Sequence, residues 1–225
     1  MGSLINWGIH MKHRAFSAAL VTALGLATAL PAQAQSVYLN QDNIAVSVGA
    51  GTSAGTFNNT FSGGATITKV IDAPTADAAE FHNQQTHIWF TASSVGGGLE
   101  LLFDFGQAYD IQTLHFWNYD GEAYDVDNVS FKFFDAGNLQ VGALDIQPAL
   151  GSSPAIYAQD IGLAAPLNVR YVSAFLTGSN AQVDFQNIGF TAVASVPEPG
   201  VLTLMGLGGL VLVPTWLRRR QRASI

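Results

Sequence analysis

The chain reads as an all-β protein, an antiparallel β-sandwich carried between an N-terminal export signal and one C-terminal transmembrane helix. Three observations predict this. Apolar and polar residues alternate at a period of two through the middle of the chain. Glycine and asparagine turn signals separate the alternating runs. Each end of the 225-residue chain carries an apolar stretch beside basic residues. With 48% hydrophobic residues, 11% charged, 23 glycines and no cysteine, the composition fits neither a disordered chain nor a collagen. It also excludes a disulfide framework and thiolate chemistry. A net charge of −7 speaks against a nucleic-acid partner, which calls for a basic patch.

Met11 opens the export signal. Lys12, His13 and Arg14 form a short basic region, residues 15–30 an apolar run, and Pro31-Ala32-Gln33-Ala34 supplies small residues for cleavage after Ala34. The run is too short and too rich in Ala and Thr for a permanent spanning helix. Residues 1–34 are therefore a signal peptide with Met11 as the true start, and signal peptidase is a partner during export.

Residues 35–66 hold one early strand, with Ile44, Val46 and Val48 alternating. A Gly-, Ser-, Thr- and Asn-rich stretch follows at residues 49–64, a long loop or floppy hairpin. The sandwich proper spans residues 67–195. Leu99, Leu101, Phe103 and Phe105 share one face against Glu100 and Asp104; residues 111–118 follow as a separate strand. Val129, Phe131 and Phe133 repeat the pattern, and residues 170–176 and 183–190 are late strands with two partly buried faces. Turns fall at Gly96-Gly97-Gly98, Asp120-Gly121, Ala136-Gly137-Asn138 and Thr177-Gly178-Ser179-Asn180. Many short strands at this spacing give an antiparallel sandwich. Between the ends, Lys69, Lys132 and Arg170 stand against fifteen carboxylates, a net −12, which repels anionic polymers.

The tail occupies residues 196–225. Val196-Pro197-Glu198-Pro199-Gly200 precedes an apolar run at residues 201–217, and Arg218, Arg219, Arg220 and Arg222 close the chain. That run makes roughly 26 Å of helix, enough to cross a hydrocarbon core. The prolines keep it from continuing back into the domain, and the arginines stay cytoplasmic. This order resembles the PEP-CTERM sorting tail of Gram-negative bacteria. The resemblance implies an exosortase that removes the tail, an inner-membrane-anchored precursor, and a product at the cell surface or in the extracellular matrix, linked to exopolysaccharide.

The central domain carries a second resemblance. Thr86-His87-Ile88-Trp89, then the strand at residues 99–106, the Trp117-Asn118 ending, Val126-Asp127-Asn128-Val129 and Val169-Arg170-Tyr171-Val172 are similar to discoidin (coagulation factor V/VIII type C) domains. The resemblance covers roughly residues 67–193 and implies a galactose-binding-like jelly roll. It also implies a structural calcium, whose nearest matches here are Asp72, Asp77, Thr86 and Gln186. The Asp-Gly that often precedes the family's Thr-x-x-Trp is absent; Asp72-Ala73-Pro74 stands farther upstream, and residues 77–85 look inserted. Nothing calls for any other cofactor.

Catalytic patterns are thin. Gly51-Thr52-Ser53-Ala54-Gly55 matches a nucleophile elbow, but no helix-forming segment follows the serine. His82 and His87 are wrongly spaced for one helical face, and with His115 they read as loop and strand histidines. The acidic run from Asp120 to Asn128 does not follow an EF-hand order. The expected ligand site is the loop carrying Trp117, Asn118, Tyr119, Asp120, Glu122 and Tyr124, where aromatic faces could stack on sugar rings; Trp89 is expected in the core. These features predict a non-catalytic carbohydrate-binding module with polysaccharide as partner. The alternative is a purely structural matrix or biofilm protein, or a hydrolase.

Overall fold

The computed structural model describes residues 35–58, 67–82, 88–164 and 168–194; the export signal, the sorting tail, Thr86 and His87 lie outside the described residues. Ten strands follow in order: β1 (Ser36–Leu39), β2 (Ala45–Val48), β3 (Gly55–Asn58), β4 (Ile88–Ala92), β5 (Gly98–Asn118), β6 (Asn128–Phe134), β7 (Gln140–Ile146), β8 (Gln159–Gly162), β9 (Asn168–Thr177) and β10 (Gln182–Ala194). A 3-10 turn at Ile67–Ile71 precedes β4. Every ladder is antiparallel.

β5 organises the architecture. The two strands expected at residues 99–105 and 111–118 are one strand of 21 residues. Its ladder with β9 is broken by a bulge between Asp104 and Tyr109, where Gly106 sits at φ +73° and donates its N–H to Asp104 Oδ1. Only glycine takes that φ without strain, and the bulge bends the strand. The first half of β5 pairs with β2 and β9, and the second half pairs with β10 and β8. One strand therefore belongs to two sheets. The first sheet runs β2–β5–β9–β6–β7, and the second runs β3–β4–β10–β5–β8, with β1 beside β4 on the same edge of β10.

The core lies between these sheets. Leu99, Leu101, Phe103 and Phe105 of β5, Val129, Phe131 and Phe133 of β6, and Val172, Ala174 and Leu176 of β9 are all buried, as period-two alternation requires. They meet Ile88, Phe90, Phe116, Phe185, Ile188 and Phe190 from the second sheet in one cluster. Phe190 joins the layers, with ring centroids 5.5 Å from Phe103 and 5.0 Å from Phe105, both edge-on.

The division at residue 67 is corrected. β1 pairs with β10, β2 with β5 and β3 with β4, so residues 35–58 are part of both sheets. β3 lies inside the stretch expected to be loop, because pairing with β4 outweighs its weak intrinsic preference.

A second apolar layer covers the outer face of the second sheet. Trp117, Ala73 and Ile156 are fully buried there, with Tyr38, Ala78 and Ala158 around them. Glu80 and Ile156 exchange two backbone hydrogen bonds of 2.8 Å, joining the covering segments.

Candidate functional site

The loop between β5 and β6 and the turn between β9 and β10 meet at one end of the sandwich. Asn118, 2% exposed, holds the first of these in shape and joins it to the segment at Ala149. Its Oδ1 accepts the N–H groups of Tyr119 (2.9 Å) and Val126 (3.0 Å), and its Nδ2 donates to the carbonyls of Val126 (3.0 Å) and Ala149 (3.2 Å) and to Asp125 Oδ2 (3.3 Å). Gly121 accepts from the N–H groups of Tyr124 and Asp125, closing a tight turn. A Cβ on Gly121 would lie 2.7 Å from the Tyr119 ring, so glycine lets that ring pack down. The neighbouring turn is tied in by Asn180 Nδ2 donating to the Ala123 carbonyl at 3.2 Å and by the Ser179 N–H donating to Asp127 Oδ2.

This loop presents a run of rings. His82 lies 4.9 Å from Tyr119, Tyr119 lies 6.3 Å edge-on from Tyr124, and Tyr124 lies 6.3 Å edge-on from Trp89. Tyr124 is 45% exposed. Trp89 leaves the core to Ile88 and Phe90, which alternate with it along β4, and donates its indole N–H to Gln182 Oε1 at 2.9 Å. That alternation was the signal that Trp89 faces outward, and the expected core position is corrected. His82 joins the run from the inserted segment, far from Tyr119 in sequence. Asp120 is half-buried and Glu122 is exposed beside the rings.

Acidic groups lie beneath. Asp125 and Asp184 are both buried and paired by an isolated bridge. Burial, with the charges of Asp127 and Glu122, pushes the Asp125 carboxyl up to about 6, against hydrogen bonds from its own backbone and Asn118. Burial and the charges of Asp184 and Asp120, with Tyr124, also raise the Tyr119 phenol.

Two of the six expected ligand contacts are corrected. Trp117 is 0% exposed and donates its indole N–H to the Ala78 carbonyl at 2.9 Å. Asn118 spends its carboxamide on the backbone. Neither side chain can touch a dissolved ligand. Tyr119, Asp120, Glu122 and Tyr124 stay together at the loop end.

Of the residues matched to calcium, Asp72 is already engaged by a cation. Asp72 Oδ1 is 3.0 Å from the Lys69 ammonium and accepts from Asn187 Nδ2 at 2.7 Å. Lys69 also pairs with Glu80 at 2.9 Å. Burial pushes the Lys69 pKa down, but its hydrogen bonds with Glu80 and Asp72 outweigh that and raise it. A divalent ion would have to compete with this ammonium for the same oxygen. Asp77 is exposed, its carboxyl lowered by a bond from Thr75. Gln186 is fully buried, with no hydrogen-bond partner at either carboxamide atom. Thr86 lies outside the described residues, among which no three His, Asp or Glu side chains gather as a metal site.

Ser53 accepts the Gly98 N–H at 3.1 Å and is followed by β3, so the strand–turn–helix of a nucleophile elbow is absent there. His115 bridges Asp160 Oδ1 (2.6 Å) and Thr191 Oγ1 (2.7 Å), a hydroxyl–imidazole–carboxylate chain that ties β5, β8 and β10 together. Thr191 sits mid-strand with Tyr38 opposite on one side and Thr113 on the other.

No family model matches the chain, and no curated protein matches it. Among solved structures, it is similar to the family 32 carbohydrate-binding module of C. perfringens NanJ in complex with galactose, at 10% identity over 70% of this chain and 99% of that one, TM-score 0.44. An F5/8 type C domain from Bacteroides fragilis aligns at 11% identity over 71% and 98%, TM-score 0.47. The lectin domain of lectinolysin complexed with Lewis B antigen aligns at 13% over 73% and 94%, TM-score 0.41. At these identities and scores the likeness transfers neither a residue nor a ligand to this chain.

Proposed function

We propose that this chain is an exported cell-surface or extracellular-matrix protein whose sandwich binds polysaccharide without catalysis. The observation that carries the reading is the ring run His82–Tyr119–Tyr124–Trp89, whose two tyrosines stand on a loop whose backbone Asn118 holds. Rings held in place lose little freedom on binding, and their faces suit the C–H surfaces of a sugar. Asp120 and Glu122 accept hydroxyl protons at the rim, and Tyr119 and Tyr124 donate theirs. An acidic domain favours a neutral glycan over an anionic one. Affinity per site is weak, on the order of millimolar, and many copies on a matrix adhere through avidity. The export signal and the sorting tail support the location: signal peptidase cleaves after Ala34, and exosortase removes the tail at Val196-Pro197-Glu198-Pro199-Gly200.

The test is retention of the full chain on the polysaccharide of its own host. Tyr119→Ala with Tyr124→Ala lowers retention and leaves the melting temperature unchanged. Retention equal to the parent overturns the loop-end site. Intact mass of the surface-released protein tests the sorting: the product starts at Gln35 and lacks the terminal arginines.

A further inference from the structure

The outer face of the first sheet carries a cleft of about 370 Å³ that the loop-end site does not use. Its position follows from strand register. Asp104 of β5 lies opposite Tyr171 of β9, and Tyr171 lies opposite Phe134 of β6. One row along, Ser47 of β2, Leu102 of β5 and Ser173 of β9 stand side by side. Tyr171, Phe134 and Leu102 make an apolar floor, while Asp104, Ser47 and Ser173 make a polar rim, the Ser173 hydroxyl donating to Glu100 Oε1 at 2.9 Å and left as an acceptor. Arg170 pairs with Asp104 and holds its guanidinium carbon 4.7 Å from the centre of the Tyr171 ring. Ring and carboxylate are thereby fixed before any ligand arrives.

We propose that this cleft is a second glycan site, which takes one neutral pyranose of a polysaccharide chain. The C–H face of the sugar lies on Tyr171 and Phe134, and its hydroxyls bond to Asp104, Ser47 and Ser173. The chemistry of the walls selects this occupant. A wholly apolar ligand, such as an acyl chain, would strip water from the Asp104 carboxylate and the Ser47 hydroxyl and give nothing back. An anion meets the repulsion of a domain with net −12. A cation finds Asp104 already paired with Arg170. A neutral ring with one apolar face and a hydroxyl edge satisfies floor and rim together, and the volume lies within the roughly 300–1,000 Å³ of small-ligand clefts. Tyr171 is six residues along β9 from Thr177, whose carbonyl accepts the Asp127 N–H at the loop end. The sites are thus roughly 20 Å apart, and a single chain can engage both and gain effective concentration.

The inference shares the carbohydrate reading of the loop end but rests on different residues, so the two fail separately. Hydroxyl-radical footprinting of the full chain, with cellohexaose, mannohexaose and galactohexaose at millimolar concentration, reads the cleft directly. At least one saccharide protects Tyr171 and Phe134, and the protection persists in Tyr119→Ala with Tyr124→Ala. It vanishes in Tyr171→Ala, read at Phe134, and in Ser47→Trp, whose indole fills the cleft in place of the Ser47 hydroxyl, and affinity falls about tenfold in each. Equal labelling with and without all three saccharides overturns the proposal. Protection that survives Ser47→Trp, or that decanoate gives and no saccharide does, overturns it equally.

Discussion

The two sheets share a strand and a core, yet their outer faces differ in kind. The outer face of the second sheet is roofed: Trp117 is buried under Ala73 and Ile156, and Lys69, Asp72, Glu80 and Asn187 form a bonded cluster along its margin. The outer face of the first sheet is bare, with Leu102 39% exposed and Ser47 and Lys132 in solvent. The difference comes from connections. Residues 72–82 and 148–158 are long enough to fold back over β5 and β10, whereas the link from β6 to β7 is a tight turn in which Asp135 accepts the N–H groups of Gly137 and Leu139. A sheet face left open keeps its side chains for contact with something else; a roofed one commits them to stability.

Substitutions can break or sharpen this contrast. Trp117→Ala has the largest effect, a loss of about 3–5 kcal/mol in denaturant unfolding, because it empties the centre of the roof. A loss below about 1 kcal/mol would show that the roof is not a core. Lys69→Met is next, at about 1–2 kcal/mol. It leaves two carboxylates unpaired, but Asp72 is 32% exposed and Glu80 12%, so the cost falls short of a fully buried pair. Melting of the parent is indifferent to added calcium or to chelator; a rise with calcium would contradict the ion-pair account.

A third effect depends on pH. Asp125 titrates at about 6 in the fold against an ordinary 3.8. The folded protein therefore holds this proton more tightly, and that contribution to stability is full below pH 3.8 and is lost as pH rises through 6. The melting temperature falls across this window, and Asp125→Asn flattens the slope; an unaltered slope refutes the assignment. Smallest is Leu102→Thr on the bare face, within about 0.5 kcal/mol of the parent, while the same change weakens saccharide protection at Tyr171.

Period-two alternation carried most of the sandwich. It located the core faces of β6 and of the first half of β5, because each buries one side against a partner sheet; β9 and β10 were legible only as strands with two partly buried faces, and β10 is buried on both sides. It missed β1, β7 and β8, short or edge strands whose residues are half exposed and so lack a clean alternation, and β4, which alternates cleanly over only five residues. It split β5, since a glycine bulge looks like a turn until both halves are seen to pair with different sheets. At the loop end, Tyr119 and Tyr124 were legible as aromatics beside a turn. Trp117 was not legible as buried: alternation placed it opposite Phe116, but only the tertiary roof from residues 72–82 closes that side. The Tyr171 cleft was hidden for a similar reason, since cross-strand neighbours from β2, β5, β6 and β9 meet only through register.

The antiparallel pairing of β1 with the end of β10 sets the two exits of the domain side by side. Ser36 lies opposite Val193, so the polypeptide enters and leaves at one pole. The ring run sits at the other pole, where β10 begins, roughly 40 Å of strand away. A tether attached beyond either terminus thus holds the domain with its aromatic tip pointing outward. On the proposed reading, tension between a captured polymer and such a tether would travel down β10, whose ladders with β5 and β1 would be loaded in shear, so that many hydrogen bonds would resist together instead of opening one after another.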